Sequence, residues 1–176
     1  MAETQAELER LASTDPLTGC INRRAMEALL RNEYERFQRY QAPFTVAILD
    51  YDHFKLINDH YGHEAGDEAL RTFARLSQQV FRVTDCVARW GGEEFLVLMP
   101  NTQRGEAEPA LQRLRQVLNQ TGVHYRGHDL SVTVSIGARQ CDELLAWDRL
   151  VNQADQALYY AKETGRDRLV FFQDIP

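Results

Sequence analysis

An α/β domain built on a mixed sheet is the fold class this sequence predicts, on three observations. Helix-period segments alternate with short β-favouring apolar runs along the chain. Two of those runs, 86–90 and 95–99, flank Gly91-Gly92, the turn chemistry of an antiparallel hairpin. Finally, 176 residues with 44% hydrophobic and 26% charged side chains match one domain with its own core.

In chain order, residues 3–12 read as a short polar helix with little to bury, the tail of a linker from something upstream. Ser13-Thr14-Asp15-Pro16 supplies capping and turn chemistry, and Asn22 is the expected N-cap of an amphipathic helix from Arg23 to about Tyr40, ended by Ala42-Pro43. Phe44 to Leu49 is the expected central, doubly buried strand, with Asp50 at its exposed end. A short helix from Phe54 to about His60 and a longer one from Glu64 to Val80 lie on either side of Tyr61-Gly62-His63. Cys86–Trp90 and Phe95–Met99 form the hairpin, its loop lengthened by Glu93-Glu94. There follow a helix over about 104–121, an alternating strand over 130–138, a helix over about 145–164 closed by Gly165, and a last strand over 168–172.

Composition excludes several function classes. The formal charge of −6 argues against general nucleic-acid binding, which needs a basic surface. No apolar stretch reaches the ~18 residues of a membrane span, and the first residues lack a signal-peptide layout, so a soluble chain is the expectation. Cys20, Cys86 and Cys141 are odd in number and far apart, suggesting neither a disulfide framework nor a zinc site, and hence a reducing, cytoplasmic setting.

A carboxylate such as Asp50 at the end of a buried strand is costly to desolvate unless paired or metal-bound, and both options stand. Asp52 reads as N-cap of a helix beginning at His53. Glu93 and Glu94 place adjacent carboxylates at a hairpin tip, fitting either a solvated turn or a cation site; glycine at 91 and 92 lets backbone approach a ligand. Asp50 and Glu93 together offer the hard oxygen ligands Mg²⁺ takes when it also bridges phosphates. Asn58 and Asp67 have the donors and acceptors to read a purine, though each alone fits a capping or surface role. Lys162 and Arg166, four apart near a helix end, meet an anion or simply complement the helix dipole.

Taken in order, these residues resemble a known family. The segments are Asp15-Pro16-Leu17-Thr18-Gly19-Cys20-Ile21-Asn22-Arg23-Arg24, Leu49-Asp50-Tyr51-Asp52-His53-Phe54-Lys55-Leu56-Ile57-Asn58-Asp59, Tyr61-Gly62-His63-Glu64-Ala65-Gly66-Asp67 and Arg89-Trp90-Gly91-Gly92-Glu93-Glu94-Phe95. Val134-Ser135-Ile136-Gly137, Ala154 to Lys162 and Gly165-Arg166 complete the series. In order and spacing it resembles the diguanylate cyclase, or GGDEF, family over about residues 13–172. The GGEEF form of the loop is usual among active members.

The resemblance implies a nucleotide-cyclase-like, ferredoxin-like palm with the GGEEF hairpin at the active site, in a domain spanning 13–176 after a linker helix over 1–12. It implies condensation of two GTP into cyclic di-GMP with two Mg²⁺ per half-site, Mn²⁺ being able to substitute. Asp50, Glu93 and the Tyr51 backbone carbonyl are the implied metal ligands, with Glu94 completing the acidic cluster. Asn58 and Asp67 are the implied guanine readers, and Lys162, Arg166 and the His53-Phe54 backbone the implied phosphate holders. Gly91 and Gly92 leave room for the nucleotide, and Lys55 and His63 match family positions. Arg82-Val83-Thr84-Asp85 and Arg113 match a product-binding inhibitory site, although an Arg-x-x-Asp is ordinarily an intrahelical ion pair. Because each chain holds one GTP, catalysis implies a homodimer, brought together by an upstream sensory or receiver domain whose segments could also anchor a longer protein to a membrane.

Overall fold

The structure, a computed structural model, describes residues 2–176 and the side chains from Thr4 onward; Met1, first residue of the expected 1–12 segment, lies outside them. Its central layer is a five-stranded sheet of order β2-β3-β1-β6-β7. β1 (Phe44–Tyr51) runs antiparallel to β3 (Glu94–Met99) and to β6 (Val134–Cys141). β2 (Cys86–Arg89) continues the antiparallel edge, and β7 (Leu169–Phe171) joins β6 in parallel, so the sheet is mixed.

Side-chain alternation divides the core in two. Val46 and Ile48 of β1 and Leu96 and Leu98 of β3 face α2 (Arg23–Tyr40) and α6 (Trp147–Glu163), which bury Met26, Leu30, Leu150, Ala154 and Leu158 on them. Ala47 and Leu49 with Phe95, Val97 and Met99 face α4 (His63–Val80) and α5 (Arg104–Thr121), which contribute Leu70, Phe73, Leu111, Leu114 and Leu118. With helices on both faces every β1 residue is buried, which explains its unbroken apolar run. α6 lies close enough to β6 that a Cβ on Gly137 would come 2.1 Å from the Leu158 nitrogen and 2.2 Å from the Ala154 oxygen. Glycine there sets the spacing between the two layers.

Asn22 caps α2 as expected, its Oδ1 accepting from the Ala25 N–H at 2.9 Å, and the helix ends where Gln41 takes φ +55°. Several expectations need correction. The strand expected over 130–138 is instead β6 at 134–141, preceded by a separate hairpin of β4 (Val123–Tyr125) and β5 (His128–Leu130). That hairpin turns on Arg126 and Gly127, both at positive φ (+46° and +78°), and its three-residue strands are too short to show a period. α3 (Phe54–Tyr61) starts one residue after His53, which adopts φ +57° and makes no side-chain cap. Asp52 is not an N-cap: it accepts from the Thr133 and Ser135 hydroxyls at 2.6 Å each and from the Asp167 N–H at 3.0 Å, tying β1 to β6 and to the loop before β7. α1 (Ala2–Ser13) precedes the sheet domain, with Leu8 and Leu11 exposed. No helix of the described residues is long and apolar enough to cross a membrane.

Candidate functional site

An open concavity of about 570 Å³ lies where the β2–β3 hairpin meets α3 and α4, lined by Asp50, Phe54, Asn58, His63, Asp67, Leu70, Arg89, Gly92, Glu93 and Glu94. Seven of these, Asp50, Asn58, His63, Asp67, Gly92, Glu93 and Glu94, carry the chemistry singled out in the sequence, and Phe54 lines it too. Strand register brings the acids together, because Asp50 pairs with Glu94 across β1 and β3 while Glu93 sits in the preceding loop.

Asp50 is buried at 4% exposure within β1, not at an exposed strand end. Its Oδ2 accepts from Lys162 Nζ at 2.5 Å, while Oδ1 has no partner among the described residues. Burial raises its pKa to about 6; Lys162 opposes that rise, and Glu93 and Glu94 add to it. Glu94 is also raised, through burial first and Asp155 next. An orphaned carboxylate oxygen beside two further carboxylates on one wall is an arrangement that a hard divalent cation relieves, so the residues fit such an ion. No three histidine, cysteine or acidic groups among the described residues form a ready ligand set, so an ion there would draw further oxygens from water, backbone or substrate.

The signature loop is held from below. Trp90 and Gly91 N–H groups donate to the Glu94 carbonyl, and Arg89 Nε and Nη2 donate to the Gly92 carbonyl at 3.2 and 2.8 Å. Asp15 accepts from Arg89 Nη1 at 3.3 Å. Neither Gly91 nor Gly92 has positive φ; Gly92 faces open space, whereas a Cβ on Gly91 would lie 3.2 Å from Glu94 Oε1. Arg89 is the charged lining residue missed as a candidate, alongside the apolar Leu70, and its signal was a basic side chain two positions before the Gly-Gly turn.

On the opposite wall, Gly66 lets Asn58 of α3 lie against α4: an added Cβ would stand 2.0 Å from Asn58 Oδ1, which is buried with no hydrogen-bond partner among the described residues. Asp67 and His63 project from the first turns of α4.

Other candidates lie apart from this cluster. Lys55 is exposed on α3, and His53 lines a separate concavity behind that helix. Arg166 does not extend a shared helix face with Lys162: α6 stops at Glu163, Arg166 takes φ +62°, and its guanidinium donates to the Lys162 carbonyl at 3.1 Å. Arg82 and Asp85 are not an intrahelical pair either. They close a turn after α4, where the Arg82 N–H donates to Asp85 Oδ2 at 2.9 Å and the Arg82 side chain pairs with Glu106 at 3.4 Å. Both line a concavity of about 340 Å³ with Gly19, Ser77 and Val83; Arg113, exposed on α5, is not among its lining residues.

Residues 12–168 match the family model described as "Diguanylate cyclase, GGDEF domain". The chain is 44% identical over 158 residues to diguanylate cyclase DgcP of Pseudomonas aeruginosa, covering 90% of this chain and 24% of that protein. It is 36% identical over 169 residues to the probable diguanylate cyclase DgcC of Escherichia coli (strain K12), covering 96% and 45% respectively. The chain thus spans 24% to 45% of the length of these relatives. Among solved structures it is similar to diguanylate cyclase SiaD of Pseudomonas aeruginosa, crystallised with its activator SiaC, at a TM-score of 0.90 and 41% identity over 97% of this chain and 66% of that one. The GGDEF domain of DgcB from Caulobacter crescentus in complex with c-di-GMP matches at a TM-score of 0.89 and 31% identity, covering 93% and 97%.

Proposed function

The chain belongs to the GGDEF family of diguanylate cyclases, and we propose that it binds one GTP in the concavity between hairpin and helices and condenses it with the GTP of a second copy into cyclic di-GMP. The observation that carries this reading is the convergence of Asp50, Glu93 and Glu94 with Asn58 and Asp67 on one cavity wall and its opposite.

In the proposed reaction the 3′ hydroxyl of one GTP attacks the α-phosphorus of the other. A new O–P bond forms as the hydroxyl gives up its proton to Glu93 or to solvent, the α-phosphorus bond to the bridging oxygen of the β-phosphate breaks, and pyrophosphate leaves; the reciprocal step closes the ring and releases a second pyrophosphate. Asn58 and Asp67 orient the guanine by hydrogen bonds, which fixes where the ribose presents its hydroxyl. Asp50, Glu93 and the Tyr51 carbonyl are the proposed ligands of Mg²⁺, or Mn²⁺ in its place, with Glu94 completing the acidic cluster. A divalent ion held by these residues would supply the chemistry that lowers the hydroxyl's pKa and neutralises charge on the departing pyrophosphate. Lys162, whose ammonium donates to Asp50 Oδ2 at 2.5 Å, stands beside the acidic cluster and is the proposed partner of the terminal phosphates. Arg166 and the backbone N–H groups around His53, whose φ of +57° opens a turn into α3, complete the proposed phosphate contacts.

Each chain supplies half of the reacting pair, so a homodimer is the proposed active species, assembled by upstream sensory or receiver segments of a longer protein. Arg82, Asp85 and Arg113 are the proposed product-binding inhibitory site. Incubating the chain with labelled GTP and Mg²⁺, after bound product is removed, and resolving the products by chromatography tests the reading. Cyclic di-GMP and pyrophosphate in a ratio of one to two support it; GTP binding without turnover, or a cyclic mononucleotide product, sinks it.

A further inference from the structure

The corner that joins α3 to α4 carries both proposed base-reading groups: Asn58 lies before it and Asp67 after it, and both line the concavity, as does His63 at the corner itself. From inside, its geometry is set by the close approach of Asn58 to Gly66. From outside, the two residues flanking Gly62-His63 are each held by the β4–β5 hairpin. Glu64 Oε2 accepts from the Tyr125 hydroxyl at 3.0 Å and from Arg126 Nη2 at 2.8 Å. Tyr61 packs its ring against His128, with centroids 5.4 Å apart. The hairpin is itself fixed: Val123 is fully buried and Leu130 nearly so in the core under α4 and α5, and Asn119 of α5 donates to the Val132 carbonyl just after it. His124 and Asp129 pair across the two strands.

We infer that the β4–β5 hairpin is a strap that positions the α3–α4 corner, with Glu64, Tyr125 and Arg126 acting as positioning residues for recognition of the purine base. The inference rests on the proposed role of the concavity as the guanine site. A base reader must hold donors and acceptors to within a few tenths of an ångström, and a helix corner hinged on a glycine at φ +93° has no such stiffness of its own. The hairpin supplies two polar tethers C-terminal to the hinge and one aromatic contact N-terminal to it. None of these residues lines the concavity. Their effect therefore travels through the corner.

The contacts are exposed, Arg126 and Glu64 at 72% each, so the effect of cutting them is moderate and salt-sensitive. Steady-state kinetics of Glu64→Ala and Glu64→Gln, with GTP and with inosine triphosphate, which lacks the guanine amino group, read it out. Glu64→Ala is expected to raise the KM for GTP by about threefold to tenfold and to narrow the preference for GTP over the inosine nucleotide. kcat and inhibition by pyrophosphate, which engages only the phosphate end, stay within about twofold. Glu64→Gln retains an acceptor for Tyr125 and Arg126 and stays near wild type. Tyr125→Phe combined with Arg126→Ala reproduces Glu64→Ala. An unchanged KM and preference in Glu64→Ala, or a parallel loss of pyrophosphate inhibition, overturns the inference. Measuring the two nucleotides as dissociation constants gives the same comparison independently of turnover, so a chain that binds without catalysis refutes the cyclase reading and still decides this one.

Discussion

Replacing Gly66 by alanine probes the base-reading wall at its tightest point. The added Cβ would stand 2.0 Å from Asn58 Oδ1 and 3.0 Å from both Asn58 Cγ and Phe54 Cζ. Ordinary contact near ~3.5 Å requires Asn58 Oδ1 to retreat by about 1.5 Å, well beyond the tolerance of a hydrogen bond. The amide is a short side chain that can rotate away, and alanine in the helix recovers about 1 kcal/mol of intrinsic preference. Stability should thus change little while the base loses a partner. An unpaired polar group in a bound complex costs about 1–3 kcal/mol, so the dissociation constant for GTP should rise about 5-fold to 150-fold. Isothermal titration of nucleotide alongside thermal melts separates the two effects. Asn58→Ala alone should reproduce the loss, and Gly66→Ala should add little in its presence, because the 2.0 Å clash is gone and only the 3.0 Å approach to Phe54 Cζ remains. If Gly66→Ala binds GTP within twofold of wild type, Asn58 does not read the base as argued.

At the other face, Gly137→Ala drives a Cβ into the α6 backbone, which cannot rotate away; a loss of about 3 kcal/mol, or a melting point lower by about 6–12 °C, is the expected outcome of a melt. Glu33 on α2 is buried; its Oε1 has no hydrogen-bond partner among the described residues and meets Arg36 Nη1 only as a loose ion pair at 3.6 Å, and burial raises its pKa. A raised carboxyl penalises folding fully above its folded-state pKa and not at all below its unfolded value of ~4.3. Glu33→Gln should therefore stabilise by about 1 kcal/mol at pH 7, with the advantage fading as the pH falls to ~4 in denaturant titrations. Arg82→Ala should relieve inhibition by added cyclic di-GMP without lowering the initial rate; an unchanged inhibition curve removes the inhibitory assignment.

Much of this molecule was legible in its sequence because the signals were local and chemical. Asn22 announced the start of α2, the apolar run 44–49 announced a doubly covered strand, and Gly91-Gly92 announced the hairpin. What escaped detection depended on tertiary packing. Asp50 looked like a strand-end residue because its carboxylate resembles a terminator, yet Lys162, 112 positions away, allows it to be buried inside β1. Asp52 had the composition of a cap and instead accepts three long-range hydrogen bonds. The β4–β5 hairpin was invisible because three-residue strands carry no period and its turn uses arginine at positive φ. The helical spacing of Lys162 and Arg166 misled because α6 ends between them. At the site, residue identities were readable, but the opposition of Asp50 to Glu94 is a product of strand register, which no spacing along the chain encodes.

The central claim is that this chain is one half of an active site shared between two copies. Specific activity measured against chain concentration, with cyclic di-GMP quantified at saturating GTP and Mg²⁺, tests it most directly. On that claim, turnover per chain should rise with concentration and level off as dimers fill, and Glu93→Ala should abolish it at every concentration. A turnover per chain that is constant from dilute to concentrated protein, or cyclic di-GMP formation that survives Glu93→Ala, would contradict it.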